Sequence, residues 1–268
     1  MLAASSLPTA LWRRIAGVAP LLALTACAPV SRRGIEPLIT DRPDFTESTE
    51  TVERGMRQVE AGSTFTRTLD EKGASFGETL IRVGVARTAE LRIGLNSYAM
   101  ARAAGETVRG FEDVSLGAKF KLMTSGGDGS WKPALAVIVA SSLPTGATQF
   151  RARKPQPEVK FGAAWDLTSR VTFSSNLNYT YVSETVGDYS EFAATGSLEV
   201  GLTDRLGSYL EYFTFVPRGI DIVSSHYLNG GLTYGVTDNL QFDVRSGLGL
   251  RRIAGPDYFF GLGISRRW

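Results

Sequence analysis

The chain has 268 residues, enough for one large β domain, and its 29 Lys and Arg residues nearly balance 27 Asp and Glu residues. A net charge of only +2 gives no basic footprint, which argues against a nucleic-acid partner. A single cysteine excludes a disulfide framework, and 29 glycines with 10% aromatic residues favour strands and turns over helices.

The first residues have the pattern of an export signal. Arg13 and Arg14 precede an apolar run at 15–24 that is too short to span a bilayer as a permanent helix. The sequence therefore predicts a signal peptide over residues 1–27, which takes no part in the fold. No later segment approaches about 18 uninterrupted apolar residues, so membrane-spanning helices are not expected.

The processing of this leader has two interpretations, both centred on the single cysteine. The Ala-Cys-Ala sequence at 26–28 fits an ordinary cleavage site between small residues. The Leu-Thr-Ala-Cys sequence at 24–27 looks like a lipobox, which would leave Cys27 as a lipid-modified N-terminus. Both interpretations predict an exported chain, and Cys27 is the candidate lipidation site.

After the leader, the chain alternates apolar and polar residues over segments of about ten positions. In 240–251, for example, Leu240, Phe242 and Val244 share one face, and charged or small residues alternate on the other. Twelve strands follow from this pattern, at approximately 56–67, 75–86, 91–101, 111–123, 133–142, 157–166, 171–182, 190–201, 206–216, 226–236, 240–251 and 257–268. The array predicts an all-β fold, an antiparallel up-and-down transmembrane β-barrel of about 12 strands over residues 56–268.

The connections between these strands alternate between two kinds. Short threonine-containing turns at Thr88, Thr124, Thr168, Thr203 and Thr237 are predicted to face the periplasm. Mostly longer loops are predicted to face outward, at 68–74, 102–110, 143–156, 183–189, 217–225 and 252–256. The strand at 133–142 is apolar on both faces, so the sequence does not assign its inward side.

Several motifs resemble one family of outer-membrane β-barrels. The most specific is Thr-Asp-Arg-Pro-Asp-Phe-Thr-Glu-Ser at 40–48, followed by Gln-Val-Glu-Ala-Gly at 58–62. Weaker matches lie at 80–84 with 90–94, at 110–113 with 117–119, at 236–243 and at 260–265. Over residues 38–268 the chain resembles the transporter family named for the MetA pathway of phenol degradation.

This resemblance implies a place in the outer membrane of a Gram-negative bacterium, in contact with its lipid. It also implies passage or binding of small, often hydrophobic solutes. The last strand ends on an aromatic residue, Trp268, which the barrel assembly machinery is expected to recognise. Arg266 departs from the expected pattern, because an apolar or aromatic residue is usual there.

Charges of both signs are predicted to point into the lumen. The preferred lumen-lining set combines inward register with family-like motifs and consists of Glu60, Arg82, Arg92, Asp113, Lys119 and Asp243, with Arg245 beside them. One interpretation is that these charges form ion pairs that fill a narrow barrel. The other is that they line a constriction that sorts solutes by charge.

Residues 28–55 precede the first barrel strand and have two interpretations. Their polar motif comprises Thr40, Asp41, Arg42, Pro43, Asp44, Phe45 and Glu47. Pro43 prevents the motif from continuing the first strand as a regular ladder. The segment is therefore either a plug whose charges pair with lumen charges or a periplasmic lead-in that helps assembly.

The function that these patterns favour is a passive channel for small compounds, including hydrophobic or aromatic ones. A structural or adhesive barrel with a closed lumen is the alternative. A lipid-modifying enzyme is disfavoured, because the single histidine, His226, has Leu228 where a serine would share its strand face. No catalytic residues, metal site or cofactor are therefore predicted.

Overall fold

The computed structural model describes residues 23–24, 38–251 and 255–268. The remaining residues of the predicted leader, including Cys27, lie outside this part. The strands are β1 (Ala23–Leu24), β2 (Thr40–Asp44), β3 (Arg57–Arg67), β4 (Glu71–Ala86), β5 (Ala89–Leu95), β6 (Tyr98–Ala103), β7 (Glu106–Phe111), β8 (Val114–Met123), β9 (Ala134–Leu143), β10 (Gln156–Thr168), β11 (Val171–Glu184), β12 (Gly187–Gly201), β13 (Leu206–Arg218), β14 (Ser225–Thr237), β15 (Leu240–Gly249) and β16 (Tyr258–Arg267). β1 pairs with β2, and β3–β16 form one antiparallel sheet. β1 lies within the predicted leader, so these two residues pair with the segment before the barrel, contrary to the expectation that the leader takes no part in the fold.

The sheet closes on itself, because β3 pairs with both β4 and β16. β5 with β6, and β7 with β8, each form one interrupted wall strand, so the 14 strands of the sheet make a wall of twelve. Closure pairs every strand of the sheet on both sides except β7, which pairs only with β6, and hydrocarbon surroundings require such pairing. The predicted fold, a closed barrel of about 12 strands, is confirmed.

Alternation along each strand separates an apolar outer surface from a polar interior. In β16, Phe260, Leu262 and Ile264 are exposed, whereas Ser265 on the other face is fully buried. Exposed Leu, Val, Phe and Tyr side chains recur around the barrel and give it an apolar belt. In the part of the chain that the structure describes, no helix is long and apolar enough to cross a membrane.

The structure assigns the face that the sequence left open in β9. Ala134, Ala136 and Ile138 are buried in the interior, whereas Val139 is exposed on the outside. The interior face of β9 is therefore apolar at these three positions.

The predicted loop at 102–110 is wrong, because most of it forms a hairpin of β6 and β7. The two strands join through Ala104 and Gly105, which have positive φ angles of 49° and 85°, as a two-residue hairpin turn requires. The long connection after β9 packs on this hairpin, with Phe150 buried against Ala99 and Ala101. β6 of the hairpin pairs with the first part of β4, beyond the ladder in which β5 pairs with β8.

Candidate functional site

Residues 38–52, the lumenal segment, run through the inside of the barrel. The side chains of Thr40, Asp41 and Asp44 are 0% exposed, and Glu47 is 1% exposed. Hydrogen bonds join the segment to β3, β4, β5, β8, β10–β13, β15 and β16. The segment therefore meets strands on every side of the lumen.

Asp41 is held by three cations of the wall. Its carboxylate lies 2.8 Å from Lys119 Nζ and 3.3 Å from Arg82 Nη1, and it also pairs with Arg92. The Asp41 N–H donates to Glu60 at 2.8 Å, and Ser48 Oγ donates back to Asp41 Oδ1 at 2.9 Å. The last contact closes residues 41–48 into a loop.

Glu47 occupies the next position along the same wall. Its Oε2 accepts from Arg92 Nη2 at 2.7 Å, and its Oε1 accepts from Lys160 Nζ at 2.7 Å. Arg92 therefore forks between Glu47 and Asp41, and all three side chains are almost completely buried. Pairing of this kind is required when charges leave water, because an isolated buried charge costs several kcal/mol.

The cations that receive these carboxylates lie together on neighbouring strands. We call Arg82, Arg92, Lys119 and Lys160, from β4, β5, β8 and β10, the cationic arc. Within the arc, Arg82 Nε lies 2.8 Å from Glu90 Oε1, and Arg82 Nη1 lies 3.0 Å from Glu60 Oε1. Glu158 Oε1 also lies 3.5 Å from Lys160 Nζ, so three wall carboxylates and two segment carboxylates surround the four cations.

Arg42 carries the positive charge of the segment to another part of the wall. Its guanidinium lies 3.1 Å from Glu78 on β4 and 3.6 Å from Asp243 on β15. Gly62 and Gly263 leave the space that it fills, because a Cβ at either position would collide with the guanidinium. Arg42 therefore bridges β4 and β15 across the two strands, β3 and β16, that close the barrel.

The wall opposite the cationic arc is acidic. Glu211 on β13 accepts from Thr46 N and Thr46 Oγ1, both at 2.6 Å, and from Phe45 N at 2.9 Å. Asp44 accepts from Ser197 Oγ at 3.0 Å. The segment thus turns the N–H groups of Phe45 and Thr46 and the carboxyl group of Asp44 toward this wall, and the carboxylates of Asp41 and Glu47 toward the other.

Neighbouring charges shift the pKa values of Asp41 and Asp44 in opposite directions, although both groups are buried. Burial alone would raise the pKa of Asp41, but Arg82, Lys119 and Arg92 hold it well below its usual range. For Asp44, burial raises the pKa well above its usual range, and the nearby Glu211 adds to this rise. Asp41 is therefore ionised at neutral pH, whereas the environment of Asp44 favours the protonated acid.

An aromatic cluster lies beside the acidic wall. Phe45 packs on Phe213 and Phe215, with ring centroids 5.0 Å away in each case. Tyr227 stacks on Phe213 at 4.9 Å, and the cluster extends to Phe259. The segment therefore contributes one ring to an aromatic surface inside the lumen.

A family model decides the relationship of this chain to known proteins. The model described as "Putative MetA-pathway of phenol degradation" matches residues 40–268. The chain belongs to this family. The match begins at Thr40, so the buried motif of the lumenal segment is part of the phenol-degradation family pattern, and the resemblance predicted from the sequence is confirmed.

Solved structures share the fold of this family member at low identity. The COG4313 outer membrane channel from Pseudomonas putida F1 is 12% identical, with a TM-score of 0.64 over 82% of this chain and 98% of that chain. The NanC porin is 8% identical, with a TM-score of 0.56 over 78% of this chain and 98% of that chain. The KdgM porin is 12% identical, with a TM-score of 0.50 over the same shares. No curated protein matches the sequence.

The structure brings most of the predicted lumen residues into contact with the predicted motif. Glu60, Arg82, Arg92 and Lys119 meet Asp41 directly, and Asp243 meets Arg42. Arg245 lies in the same lumen, where Nη1 donates to Pro43 O at 3.1 Å and the guanidinium lies 5.3 Å from the Phe259 ring. These residues therefore contact the lumenal segment at several points along its course.

Asp113 is the predicted lumen residue that lies elsewhere. Its carboxylate accepts from Gly146 N at 2.8 Å and Ala152 N at 2.7 Å in the connection after β9. The reason is that the strand breaks between β7 and β8, where Asp113 stands, so the alternation that predicted its direction is interrupted. Asp113 anchors a loop and takes no part in the charge network around Asp41.

Three contributors to the network were not among the preferred residues. Glu78, Lys160 and Glu211 contact Arg42, Glu47 and the segment backbone. Alternation alone was their signal, because each sits at an inward position outside the family-like motifs. The buried Phe213 and Phe215 carried the same signal.

His226 lies apart from the lumen network. Its Nδ1 is 2.7 Å from Tyr212 Oη, and Tyr212 is exposed on the outer face of β13. Within residues 38–251 and 255–268, no group of three or more His, Cys, Asp or Glu side chains is placed to hold a metal ion.

Proposed function

We propose that this chain is a passive channel for small compounds, including hydrophobic or aromatic ones, in the outer membrane of a Gram-negative bacterium. The observation that carries the proposal is the lumenal segment, whose contacts with the wall are mainly ionic and polar, with one aromatic contact through Phe45. The wall groups that bind the segment can bind water or a polar solute in its place. The solved structures that share the fold include proteins named as channels and porins, which supports the same role.

In this proposal the lumenal segment acts as a plug. A short link joins the segment to the start of β3. In this proposal the segment leaves the lumen at the end of the barrel where β3 begins, and the wall stays folded. The aromatic cluster would then offer ring faces to a hydrophobic or aromatic solute. Charge pairs of the wall would remain as the polar lining of the path.

Two threonines in contact allow this plug to be locked within the full chain. Thr46 Oγ1 and Thr195 Oγ1 are 2.8 Å apart, so a Thr46→Cys/Thr195→Cys variant is expected to form a disulfide between segment and wall. Planar-bilayer currents and liposome swelling with sugars and aromatic acids would be measured before and after reduction. We expect the oxidised form to be closed and the reduced form to recover wild-type permeation.

The single variants Thr46→Cys and Thr195→Cys control for loss of each hydroxyl and for pairing with Cys27. Equal permeation by the oxidised and reduced double variants would contradict the plug. Absence of permeation in every form, with the barrel shown to be folded, would instead support the second candidate.

That second candidate is a structural or adhesive barrel with a closed lumen. One observation favours it: charged side chains of the lumen, among them Glu60 and Asp243, are buried and form ion pairs. Interior ion pairs of this kind can hold a narrow barrel shut. The reduction experiment above separates the two candidates.

Export and assembly complete the proposal. We propose that residues 1–27 direct export, that Cys27 is either removed or lipidated, and that residues 28–55 follow as the segment before the barrel. Mass spectrometry of the mature N-terminus distinguishes the two fates of Cys27. We also propose that the barrel assembly machinery recognises β16, whose end closes on β3 through paired hydrogen bonds between Trp268 and Arg57, both 2.9 Å.

We propose no enzymatic role. His226 pairs with Tyr212 on the outer face, and neither residue belongs to the lumen network. Replacing His226 with Ala and comparing lipid profiles of the membrane tests this; a changed lipid A pattern would contradict it.

A further inference from the structure

The cationic arc depends on the lumenal segment for its charge balance. Lys119 takes its ion pair from Asp41, and Arg92 takes two of its three from Asp41 and Glu47. When the segment leaves, the arc keeps Glu60, Glu90 and Glu158 against four cations, a difference of one positive charge. Such a surplus at a site shielded from water attracts anions.

The geometry of these contacts is that of carboxylate binding. Lys119 Nζ reaches both oxygens of Asp41, at 2.9 and 2.8 Å, and the fork of Arg92 divides between Asp41 and Glu47. Lys160 completes the second position at 2.7 Å from Glu47 Oε1. Each segment carboxylate therefore lies between two or more cations, an arrangement that a free carboxylate reproduces without change in the wall.

The aromatic cluster, which lies across the lumen from the arc, adds a second requirement. Phe45 precedes Glu47 by two residues and is packed on Phe213 and Phe215. Departure of the segment frees these ring faces at the same time as it frees the cations. A solute that carries both a carboxylate and a ring would replace Glu47 at the arc and Phe45 at the aromatic cluster.

We infer that the cationic arc is a binding site for the carboxylate of a small, ring-bearing anionic solute, and that Asp41 and Glu47 occupy this site in the resting barrel. The inference rests on the proposed channel function and specifies its solute class. The solute and the segment compete for the same cations, so the solute itself releases the plug.

The experiment uses the full chain in planar bilayers, with 3-phenylpropionate as the anionic probe and 3-phenylpropionamide as its neutral counterpart. In the wild type we expect the acid to raise the open probability about tenfold over the amide, as one lost ion pair between segment and wall corresponds to about one decade. The Asp41→Asn/Glu47→Gln variant should be open without solute, and its reversal potential in a KCl gradient should show preference for the anion.

Variants of the arc and of an exposed site complete the comparison. Adding Lys119→Gln or Arg92→Gln to the open variant should abolish the anion preference, whereas Arg170→Gln, an exposed turn residue, should preserve it. The slower migration of heated samples on SDS gels verifies that each barrel is folded.

The possible results distinguish failure of the carboxylate site from failure of the proposed channel function. Currents that respond equally to the acid and the amide, or an open variant that prefers cations, would overturn the carboxylate site but leave the channel. Folded barrels without current in the wild type, the charge variant and the reduced disulfide variant would overturn both.

Discussion

At the residue scale, the lumenal segment is held by a small number of wall side chains that each take several contacts. Glu211 accepts three hydrogen bonds from Phe45 and Thr46 and one from Asn229. Arg92 and Arg82 serve the opposite wall in the same way. Because each of these side chains makes several contacts, a single substitution at one of these positions should destabilise the barrel more than the loss of one contact would.

Glu211 gives the first prediction. Glu211→Gln keeps the shape but removes the charge and replaces one acceptor with a donor facing the N–H groups of the segment. We expect the free energy of unfolding to fall by about 1.5–3 kcal/mol, the range for hydrogen bonds to a charged group. Urea titration in lipid vesicles measures the change, and the exposed Glu53→Gln should be neutral; equal values for both variants would contradict the prediction.

Gly62 gives the second prediction. Gly62→Val would place methyl groups where the Arg42 guanidinium now lies, so the contacts of Arg42 with Glu78 and Asp243 would be lost. We expect destabilisation of about 1–3 kcal/mol and an increased resting conductance. Gly196→Val is the matched control, because its Cβ would meet only the Phe173 ring at 3.6 Å; unchanged conductance in Gly62→Val would argue against displacement of Arg42.

At the scale of elements, the connection after β9 is fixed to the β6–β7 hairpin rather than free. Phe111 O accepts from Ala147 N at 2.8 Å, and Phe150 is buried against Ala99 and Ala101. Asp113 adds two further hydrogen bonds to the same connection. The Asp113 carboxylate therefore links the interruption between β7 and β8 to the longest connection between strands of the sheet.

The third prediction concerns this connection. Asp113→Ala removes the acceptor of Gly146 N and Ala152 N, so residues 144–155 should open more often. We expect faster trypsin cleavage after Arg151 or Arg153 in the folded barrel, by about tenfold for a loss of about 1.4 kcal/mol. Asp204→Ala, in an exposed turn, should leave the cleavage rate unchanged; the same rate in both variants would contradict the role given to Asp113.

At the scale of the whole molecule, the apolar belt and the polar lumen lie on opposite faces of the same strands. A charge introduced on the outer face must therefore be placed in lipid, and its cost depends on depth. The fourth prediction is that Leu232→Arg, in the middle of β14, costs about 2–4 kcal/mol, whereas Leu250→Arg, beyond the end of β15, costs about 0–1 kcal/mol. Folding yield and urea midpoints in vesicles measure both, and equal costs would place the belt elsewhere.

The sequence predicted the wall well because the period of two is a local property. Arg82, Lys119 and Asp243 were assigned to the lumen from alternation alone, and the structure places them there. Alternation could not predict Asp113, since the strand is interrupted beside it, nor the inward face of β9, which has apolar residues on both sides. The outer part of the β6–β7 hairpin was missed because residues 102–110 are mostly small or polar and resemble a loop.

The path of the lumenal segment was beyond sequence reasoning for a different reason. Its contacts join residues far apart in the chain, as from Arg42 to Leu262, 220 positions away. The charges of the segment were compatible with a plug. They did not indicate that Asp41 pairs with Lys119 rather than with another cation. The choice between a plug and a periplasmic lead-in needed three-dimensional information.

The bridge that Arg42 makes also bears on how the barrel comes together. Arg42 pairs with β4 and β15, which flank the junction of β3 with β16. The second and the second-to-last strands of the wall therefore share one counter-charge, supplied from inside. We expect entry of the segment and joining of the two ends of the chain to be coupled during assembly, and withdrawal of Arg42 from the finished barrel to weaken the junction at which that barrel was sealed.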